Sequence, residues 1–519
     1  MFRRRNKSRA PNNATETSNH EGRLIRKADS LEALPHLFHD LGIQSNVLVS
    51  AEYTHATGIL TPEKVHLALR KVIDQHPALS IIGVTRPSTK KAGHHRLWEA
   101  HLPVIHFQDC VEFHDVDFDG DGQLSQTVED IHNTWFDTQD KTKPWWKLVI
   151  LNQKTVIFVF HHAIADGLSG YAFHRSFLSA LNEVEEAAVP VEESQSVMTP
   201  RIDPASLPSP LDDIKEKLSW FYVIKNFLFW VLIRFFVSDK YFLFSDAVVT
   251  HSYPTVKRPF PKSERTVTKA SILRISSKMM ANCLAACRQH DTSFTALLHT
   301  LVQITLASDE YRNAKVGFSR QAINIRDFLK NKIERDQMTN AVSVYYRVDL
   351  LSRFRKADSP SWNTQSRSQN NSQSDFGIDK EIVWELARKY KKDLNAAMYT
   401  NKSVMQELLV CKLLGEDDED FGDFFGLNLY QNNSFLISNL IAFEPQEGMR
   451  EGGWTVTDVA FSAGAIRAKL GDFGLVFNVA SVKGADCVIC AVWEEGVLKE
   501  EMVKRVIRAV YARMKLLVG

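Results

Sequence analysis

A chain of 519 residues is too long for one hydrophobic core, so two or three packed units are expected. Its composition, 44% hydrophobic and 24% charged, is that of a soluble globular protein and excludes collagen-like, mucin-like and wholly disordered chains. The 63 Lys and Arg residues balance the 62 Asp and Glu residues, so no overall charge would draw the chain onto nucleic acid.

The chain is expected to begin with a disordered tail, residues 1–27, which is rich in Asn, Ser, Thr and Arg. The tail lacks the apolar stretch of a secretion signal. Residues 46–54 have the β-branched and aromatic content of a strand. A helix should then open at Thr61, a candidate N-cap, with Pro62 in the first helical position.

Two apolar runs, 147–152 and 155–160, flank a short polar turn and predict a hairpin. A helix is predicted over 168–184. The stretch 189–213 is rich in Pro, Ser and charged residues, which is typical of a linker.

The second half contains two polar breaks. Residues 358–374 are of low complexity and predict an exposed loop, and the acidic stretch 416–423 predicts a solvated loop. The chain should end in a helix over 499–517, where apolar residues recur with helical spacing.

Residues 219–244 are densely apolar and aromatic. Crossing a bilayer needs about 20 mostly apolar residues, and Lys225 and Arg234 interrupt the stretch. An arginine near the bilayer centre costs about 2.5–3.5 kcal/mol. Three interpretations stay open: a membrane span, a helix that lies on a membrane surface, and a helix buried against the rest of the protein. The aromatic residues favour the membrane surface.

Six cysteines are too few for a disulfide framework and indicate a reducing compartment. Cys283 and Cys287 are four residues apart, and Cys487 and Cys490 form a CxxC, so the four could be drawn as a zinc site. The second pair lies in an apolar run that predicts a buried strand, where residues three apart face opposite ways. We therefore predict core cysteines.

The sequence HHAIADG, residues 161–167, lies between a predicted strand and a predicted helix. One interpretation is that His161 and His162 only satisfy hydrogen bonds at a strand end. A second makes both histidines and Asp166 metal ligands, but adjacent residues of a strand face opposite ways. In the third, which we favour, one histidine is a general base that activates a hydroxyl or an amine. Asp166 would then fix the turn, and Gly167 would permit its bend.

The motif resembles the HHxxxDG signature of the chloramphenicol acetyltransferase-like superfamily. This group includes plant BAHD acyltransferases, nonribosomal peptide condensation domains and fungal alcohol acetyltransferases. Segments that resemble the fungal alcohol acetyltransferases follow one another in the same order, at residues 46–84, 291–307, 324–328 and 434–443. Residues 471–474, GDFG, are similar to the DFGWG motif of BAHD enzymes but lack its Trp, which argues against the plant branch.

The resemblance implies an α/β fold with two lobes, each a mixed β-sheet flanked by helices, and a tunnel at the lobe junction. We expect the N-terminal lobe, with HHxxxDG, at residues 28–205 and the C-terminal lobe at 260–519. Residues 206–259 would be a crossover that contains the hydrophobic segment 219–244.

The resemblance also implies a role for each residue of the motif. His162 would be the general base, and His161 would pack behind it and orient the loop. Asp166 would be structural, held by an arginine for which Arg326 is the candidate. Gly167 would leave room where the acyl donor meets the catalytic centre.

Ser438 and Asn439, in the segment 434–443, are candidates for contacting the CoA thioester and the oxyanion that forms from it. We predict transfer of an acyl group, most simply acetyl from acetyl-CoA, to an alcohol. Acyl-CoA would be a co-substrate, with no bound cofactor, no metal and no covalent intermediate.

Four alternatives stay open: an amine acceptor such as a sphingoid base, a carrier-protein thioester as donor, a metal-dependent hydrolase, and a non-enzymatic binding protein that keeps the motif as a relic. The chain has no carrier-like region, which disfavours the second. We expect a cytoplasmic monomer without a nucleic-acid partner, held peripherally on the endoplasmic reticulum or lipid droplets if residues 219–244 bind membrane.

Overall fold

The computed structural model describes residues 23–116, 120–187, 197–200, 207–248, 265–358, 377–415, 417–426, 434–444, 452–467 and 473–519. The strands are β1 (Leu24–Lys27), β2 (Val47–Thr54), β3 (Ile81–Pro87), β4 (His95–His101), β5 (Ile105–His106), β6 (Val111–His114), β7 (Trp146–Leu151), β8 (Thr155–Phe160), β9 (Val197–Met198), β10 (Thr268–Ile275), β11 (Val316–Asn324), β12 (Val342–Leu350), β13 (Ser434–Phe443), β14 (Thr455–Ser462), β15 (Phe473–Val482) and β16 (Cys487–Glu494). The helices are α1 (Ser30–Asp40), α2 (Pro62–Gln75), α3 (Phe107–Cys110), α4 (Asp121–His132), α5 (Gly167–Ala187), α6 (Trp220–Phe236), α7 (Ser277–Gln289), α8 (Phe294–Thr305), α9 (Leu351–Lys356), α10 (Lys380–Asn395), α11 (Ser403–Leu414), α12 (Asp418–Gly426) and α13 (Glu500–Val518).

The N-terminal lobe is built on a five-stranded sheet in the order β14-β2-β8-β7-β6. Only β6 and β7 pair in parallel, so the sheet is mixed. The predicted hairpin is β7 and β8, and its turn places Asn152 and Gln153 at φ of 50° and 55°. Helix α2 packs on α5, and α5 packs on β2, so one face of the sheet is covered by helices. Thr61 caps α2, as predicted, by accepting a hydrogen bond from the Lys64 amide.

The C-terminal lobe is built on a six-stranded sheet in the order β10-β16-β15-β13-β11-β12. Strand β13 lies between β11 and β15 and is parallel to both, whereas the other pairs are antiparallel. Helix α8, in the segment 291–307 that resembles the fungal alcohol acetyltransferases, is buried at every position except Thr295. Together with α13 and one face of the six-stranded sheet it forms the second hydrophobic core.

One strand crosses the predicted division between the lobes. β14 lies within the range predicted for the C-terminal lobe, 260–519, but it pairs with β2 and forms an edge of the N-terminal sheet. Its buried side chains Val456, Val459 and Phe461 belong to the N-terminal core. The division at residue 260 therefore needs correction, because residues 455–462 are part of the first sheet.

Two further segments differ from the sequence predictions. The tail was predicted to extend to residue 27, but Leu24–Lys27 forms β1, which pairs with β4, and Arg26 binds the buried carboxylates of Glu32 and Glu99 at 2.6 and 3.0 Å. Residues 1–22 lie outside the described residues. The acidic stretch predicted as a loop contains α12, whose first turn is acidic and so complements the helix dipole. Phe421 on this helix is buried.

Other predicted loops lie largely outside the described residues. The structure describes only 197–200 and 207–213 of the predicted linker 189–213, and only Asp358 of the loop 358–374.

The predicted core cysteines are buried. Cys487 belongs to the C-terminal core and Cys490 to the N-terminal core, as expected for residues on opposite faces of β16. Burial raises the pKa of each thiol to about 12, so both stay protonated at neutral pH. Cys283 and Cys287 lie with Cys487 in the C-terminal core.

Helix α6 contains no buried residue, although all but three of its residues are apolar or aromatic. Phe221, Phe235 and Phe236 are 78%, 73% and 79% exposed. No residue of α6 is fully buried, so it is not a core helix, but one of its faces contacts the C-terminal lobe, where the Trp230 ring lies 5.4 Å from that of Phe318. Whether its exposed face binds a membrane stays a prediction. Among the residues described, none of the helices combines the length and the apolar character needed to cross a bilayer.

Candidate active site

The HHxxxDG residues form the turn between β8, which ends at Phe160, and α5, which begins at Gly167. In this turn, Nδ1 of His162 lies 3.0 Å from the carbonyl oxygen of Ala165. A carbonyl can only accept a hydrogen bond, so Nδ1 carries the proton and Nε2 keeps its lone pair. The turn thereby sets the imidazole in the tautomer that a general base needs.

Burial lowers the pKa of His162 below its ordinary value of 6.5, although the hydrogen bonds of the loop and the charge of Asp166 oppose this shift. The imidazole is therefore neutral at pH 7. His162 lines a cavity of about 260 Å³ between α1, β12, α11 and α12. A neutral histidine beside a cavity can accept a proton from a bound hydroxyl or amine.

His161 faces away from this cavity. Its ring lies 4.6 Å from that of His39 and 4.7 Å from that of Trp145. Its Nδ1 accepts a hydrogen bond from the Ala163 amide at 3.0 Å, and burial lowers its pKa well below 6.5. The two histidines thus have separate surroundings, and only His162 reaches the cavity.

The structure brings Asp166 and Arg326 together. The guanidinium donates two hydrogen bonds to the carboxylate, at 2.7 and 3.0 Å, and both side chains are buried. Burial alone would raise the pKa of Asp166, but the charge and hydrogen bonds of Arg326 lower it overall. The carboxylate also accepts from the Ser169 amide at 2.9 Å, as an N-cap residue does. The Asp166 carboxylate is therefore ionised, and both of its oxygens accept hydrogen bonds from the protein.

The sequence did not single out three residues that hold this turn. The Ser169 hydroxyl lies 2.9 Å from the Asp166 carboxylate and 2.8 Å from the Thr339 carbonyl, and it can donate its proton to either. The side chain of Asn340 donates to the carbonyl of His162 at 2.9 Å. Ser169 lies three residues after Asp166 at a helix start, a spacing that could have identified it. Thr339 and Asn340 have no comparable local pattern.

These contacts join the two lobes at the motif. The loop after β8 belongs to the N-terminal lobe, while Arg326 and residues 339–341 belong to the connection between β11 and β12. The Ala341 amide also donates to Asp166, at 3.0 Å. The motif therefore lies at the lobe junction.

Gly167 lies where α5 approaches β13 and β14. A Cβ at this position would lie 2.6 Å from Cδ2 of Leu440 and 3.0 Å from the ring of Phe461. Contacts under 3.0 Å force a neighbour to move, so the helix start needs a glycine to pack here. The role predicted for Gly167 beside the acyl donor stays a prediction.

Ser438 and Asn439 lie on β13, and neither is among the residues that line the cavity of His162. The Asn439 amide donates to the hydroxyl of Thr295 at 2.9 Å, and its oxygen accepts from the Ile441 amide at 2.8 Å. The structure thus does not bring these residues together with His162 in that cavity, and their contact with CoA stays a prediction.

The motif residues do not converge as metal ligands would. His161 Nδ1, His162 Nδ1 and the Asp166 carboxylate each bind a different protein group. Within the described part of the chain, the His and acidic side chains close enough to share a cation are His94, Asp417 and Asp420, which lie outside the motif.

The family model described as alcohol acetyltransferase matches residues 27–512. The chain belongs to the alcohol acetyltransferase family. This finding confirms the resemblance predicted from HHxxxDG and its accompanying segments, and it makes the protein an acyltransferase.

Other members and structures agree with this assignment. The chain is 24% identical to the probable alcohol acetyltransferase crmB of Aspergillus fumigatus, over 75% of this chain and 76% of that protein. The fold is similar to that of TRI3 trichothecene 15-O-acetyltransferase from Fusarium sporotrichioides, with a TM-score of 0.64, 12% identity and 95% of each chain covered.

A starter condensation domain of rhizomide synthetase, solved in complex with C8-CoA and Leu-SNAC, is also similar. Its TM-score is 0.56 at 11% identity, with 95% of this chain and 94% of that chain covered. The predicted fold class, two lobes of mixed sheet and helix, is confirmed.

Proposed function

We propose that this family member transfers an acetyl group from acetyl-CoA to an alcohol, with His162 as general base. The observation that carries the proposal is the tautomer of His162, whose unprotonated Nε2 is the ring nitrogen available to a molecule in the cavity. Family membership supports an alcohol as acceptor. The similar condensation domain in complex with C8-CoA supports a CoA thioester as donor.

In the proposed reaction the acceptor hydroxyl gives its proton to Nε2 of His162 while its oxygen attacks the thioester carbonyl carbon. The tetrahedral oxyanion then collapses, the carbon–sulfur bond breaks, and the imidazolium returns the proton to the thiolate. The products are the ester and free CoA. The same histidine would serve an amine acceptor, which stays the alternative.

An acceptor screen tests the proposal. Purified protein is incubated with acetyl-CoA and individual alcohols or amines, and free thiol and acetylated product are both measured. We expect thiol release that depends on an alcohol and equals the ester formed. Thiol release with amines alone would favour the N-acyltransferase, and hydrolysis abolished by a chelator would favour a metal-dependent hydrolase.

We also propose that α6 rests on a membrane surface, as its composition suggested. Its exposed side chains are Trp, Phe, Leu and Ile together with Lys225, and its second charged residue is Arg234. An exposed apolar helix face of this kind binds at the boundary between the lipid headgroups and the acyl chains. Each basic residue near an anionic surface adds about 1 kcal/mol to the binding free energy. The Tyr222 hydroxyl of α6 bonds to Glu407, which lines the cavity, so the proposed membrane-binding helix lies beside the cavity.

Vesicle flotation tests this association. Wild-type protein should float with vesicles of phosphatidylcholine and phosphatidylserine at low salt. Changing Phe221, Phe235 and Phe236 to Ser should weaken binding by about 100-fold, since each exposed ring contributes on the order of 1 kcal/mol. Ile59→Ser, at a 54% exposed position of the N-terminal lobe, is the control and should float as wild type does. Wild-type protein that stays with the soluble fraction would refute the proposal.

A further inference from the structure

The cavity extends along β12, away from the catalytic loop. Asn340, which holds the backbone of His162, lines one end. Val342, Val344 and Tyr346 then line the wall, as expected for alternate residues on one face of a strand. From Val342 to Tyr346 the strand advances about 13 Å. A molecule that fills the cavity is therefore elongated.

Between its ends the cavity is mostly apolar. The opposite walls come from α1, from one face of α11 and from two phenylalanines of α12. Their apolar side chains at the cavity are Leu31, Leu34, Phe38, Leu408, Val410, Leu414, Phe421 and Phe424. The body of the bound molecule must therefore be apolar as well.

At the end of the cavity away from His162, beside Tyr346, the lining is polar again. Arg320 lies directly opposite it on β11, with its guanidinium 4.2 Å from the ring centre and bonded to the hydroxyl at 3.2 Å. Glu407 of α11 lines the same part of the cavity. In the part of the chain that the structure describes, the Tyr222 hydroxyl donates a hydrogen bond to Oε1 of this carboxylate, which leaves Oε2 for a bound molecule.

The surroundings of Glu407 match a neutral hydrogen-bonding group. Burial raises the pKa of Glu407 to about 7, opposed by Tyr222 and by the charge of Arg320. A carboxyl group that is partly protonated at neutral pH can accept from a hydroxyl or donate to one. A cationic ligand would face the positive charge of Arg320, and the pyrophosphate of CoA would face the negative charge of Glu407.

We propose that Glu407, with Arg320 and Tyr346, forms a second polar subsite that binds a hydroxyl group at the far end of the acceptor. This inference rests on the proposed function, since it places the reacting hydroxyl at His162. The substrate class is then an elongated, apolar alcohol with a second hydroxyl distant from the one that is acetylated.

Calorimetric binding of 1,10-decanediol and 1-decanol to the full chain tests the subsite without requiring catalysis. Wild-type protein should bind the diol about 10-fold more tightly than the monoalcohol, beyond the statistical factor of two for its equivalent ends, because the distal hydroxyl bonds to Glu407. Glu407→Leu should abolish this preference while binding 1-decanol at least as well. Glu407→Gln, which keeps the shape and hydrogen-bonding atoms, should show an intermediate preference.

Leu414→Ala is the matched control, because it removes apolar wall on the same face of α11. It should weaken both alcohols equally and leave the preference unchanged. A preference that survives in both Glu407 variants, or wild-type protein that binds neither alcohol or both equally, would overturn the subsite. If the protein prefers the diol but acetylates no alcohol, the proposed function fails and the subsite stands. If the enzyme acetylates both alcohols with equal KM values, the proposed function stands and the subsite fails.

Discussion

Replacing His162 with alanine should lower turnover by roughly 10²–10⁴-fold, the usual contribution of a general base. The hydrogen bond from Nδ1 to Ala165 prepares Nε2 to take the proton of the acceptor, and alanine offers no group in its place. Free thiol release at saturating acetyl-CoA measures the effect. The melting temperature should change little, because this ring lies at the cavity wall and its hydrogen bond to Ala165 is local.

The pH dependence gives a second measure of the same residue. Because burial lowers the pKa of His162 below 6.5, the wild-type rate should be constant through neutral pH and fall only as the pH drops below 6.5, where the base becomes protonated. His114→Ala, at an exposed histidine on β6, is the control and should leave both rate and pH profile unchanged. Near-normal turnover in His162→Ala would refute the mechanism.

Much of the fold was predictable because its elements carry local patterns. The hairpin of β7 and β8 follows from two apolar runs and a polar turn, and α2 follows from a Thr-Pro start and helical spacing. The motif at 161–167 was recognisable because its residues are close in sequence. Such features depend on near neighbours alone.

The remaining features depend on residues that are distant in sequence. Strand β14 pairs with β2, which is about 400 residues away in the sequence, and no pattern within β14 predicts this pairing. Asn340 reaches His162 from 178 residues away, and it does so through a backbone carbonyl that any residue possesses. The cavity wall likewise combines α1 with α11 and α12. Periodicity predicts elements, whereas packing of the whole chain decides which of them meet.

The segment around Asp166 illustrates both cases. A carboxylate at a helix start predicts an anchor of some kind, and the family resemblance suggested Arg326 as its partner. The backbone amides of Ser169 and Ala341, which complete the shell of the carboxylate, carry no sequence signature.

Asp166→Asn should destabilise the protein by about 3–5 kcal/mol, the second large effect we expect. The substitution leaves the guanidinium of Arg326, which is 4% exposed, without its counter-ion, and an unpaired buried charge is costly. Activity should also fall, because the turn that orients His162 depends on the contacts of Asp166. Chemical denaturation and thiol release measure the two effects.

Two further variants separate this ion pair from a general effect of charge removal. Glu183→Gln, on the same helix α5, breaks an exposed pair with Lys71 and should change stability by only about 0–1 kcal/mol. The double variant Asp166→Asn with Arg326→Met removes both charges and should recover part of the lost stability, since no buried charge is then left unpaired. It should not recover activity, because the turn still lacks its carboxylate. If Asp166→Asn unfolds at the wild-type denaturant concentration, the pair does not stabilise the junction of the lobes.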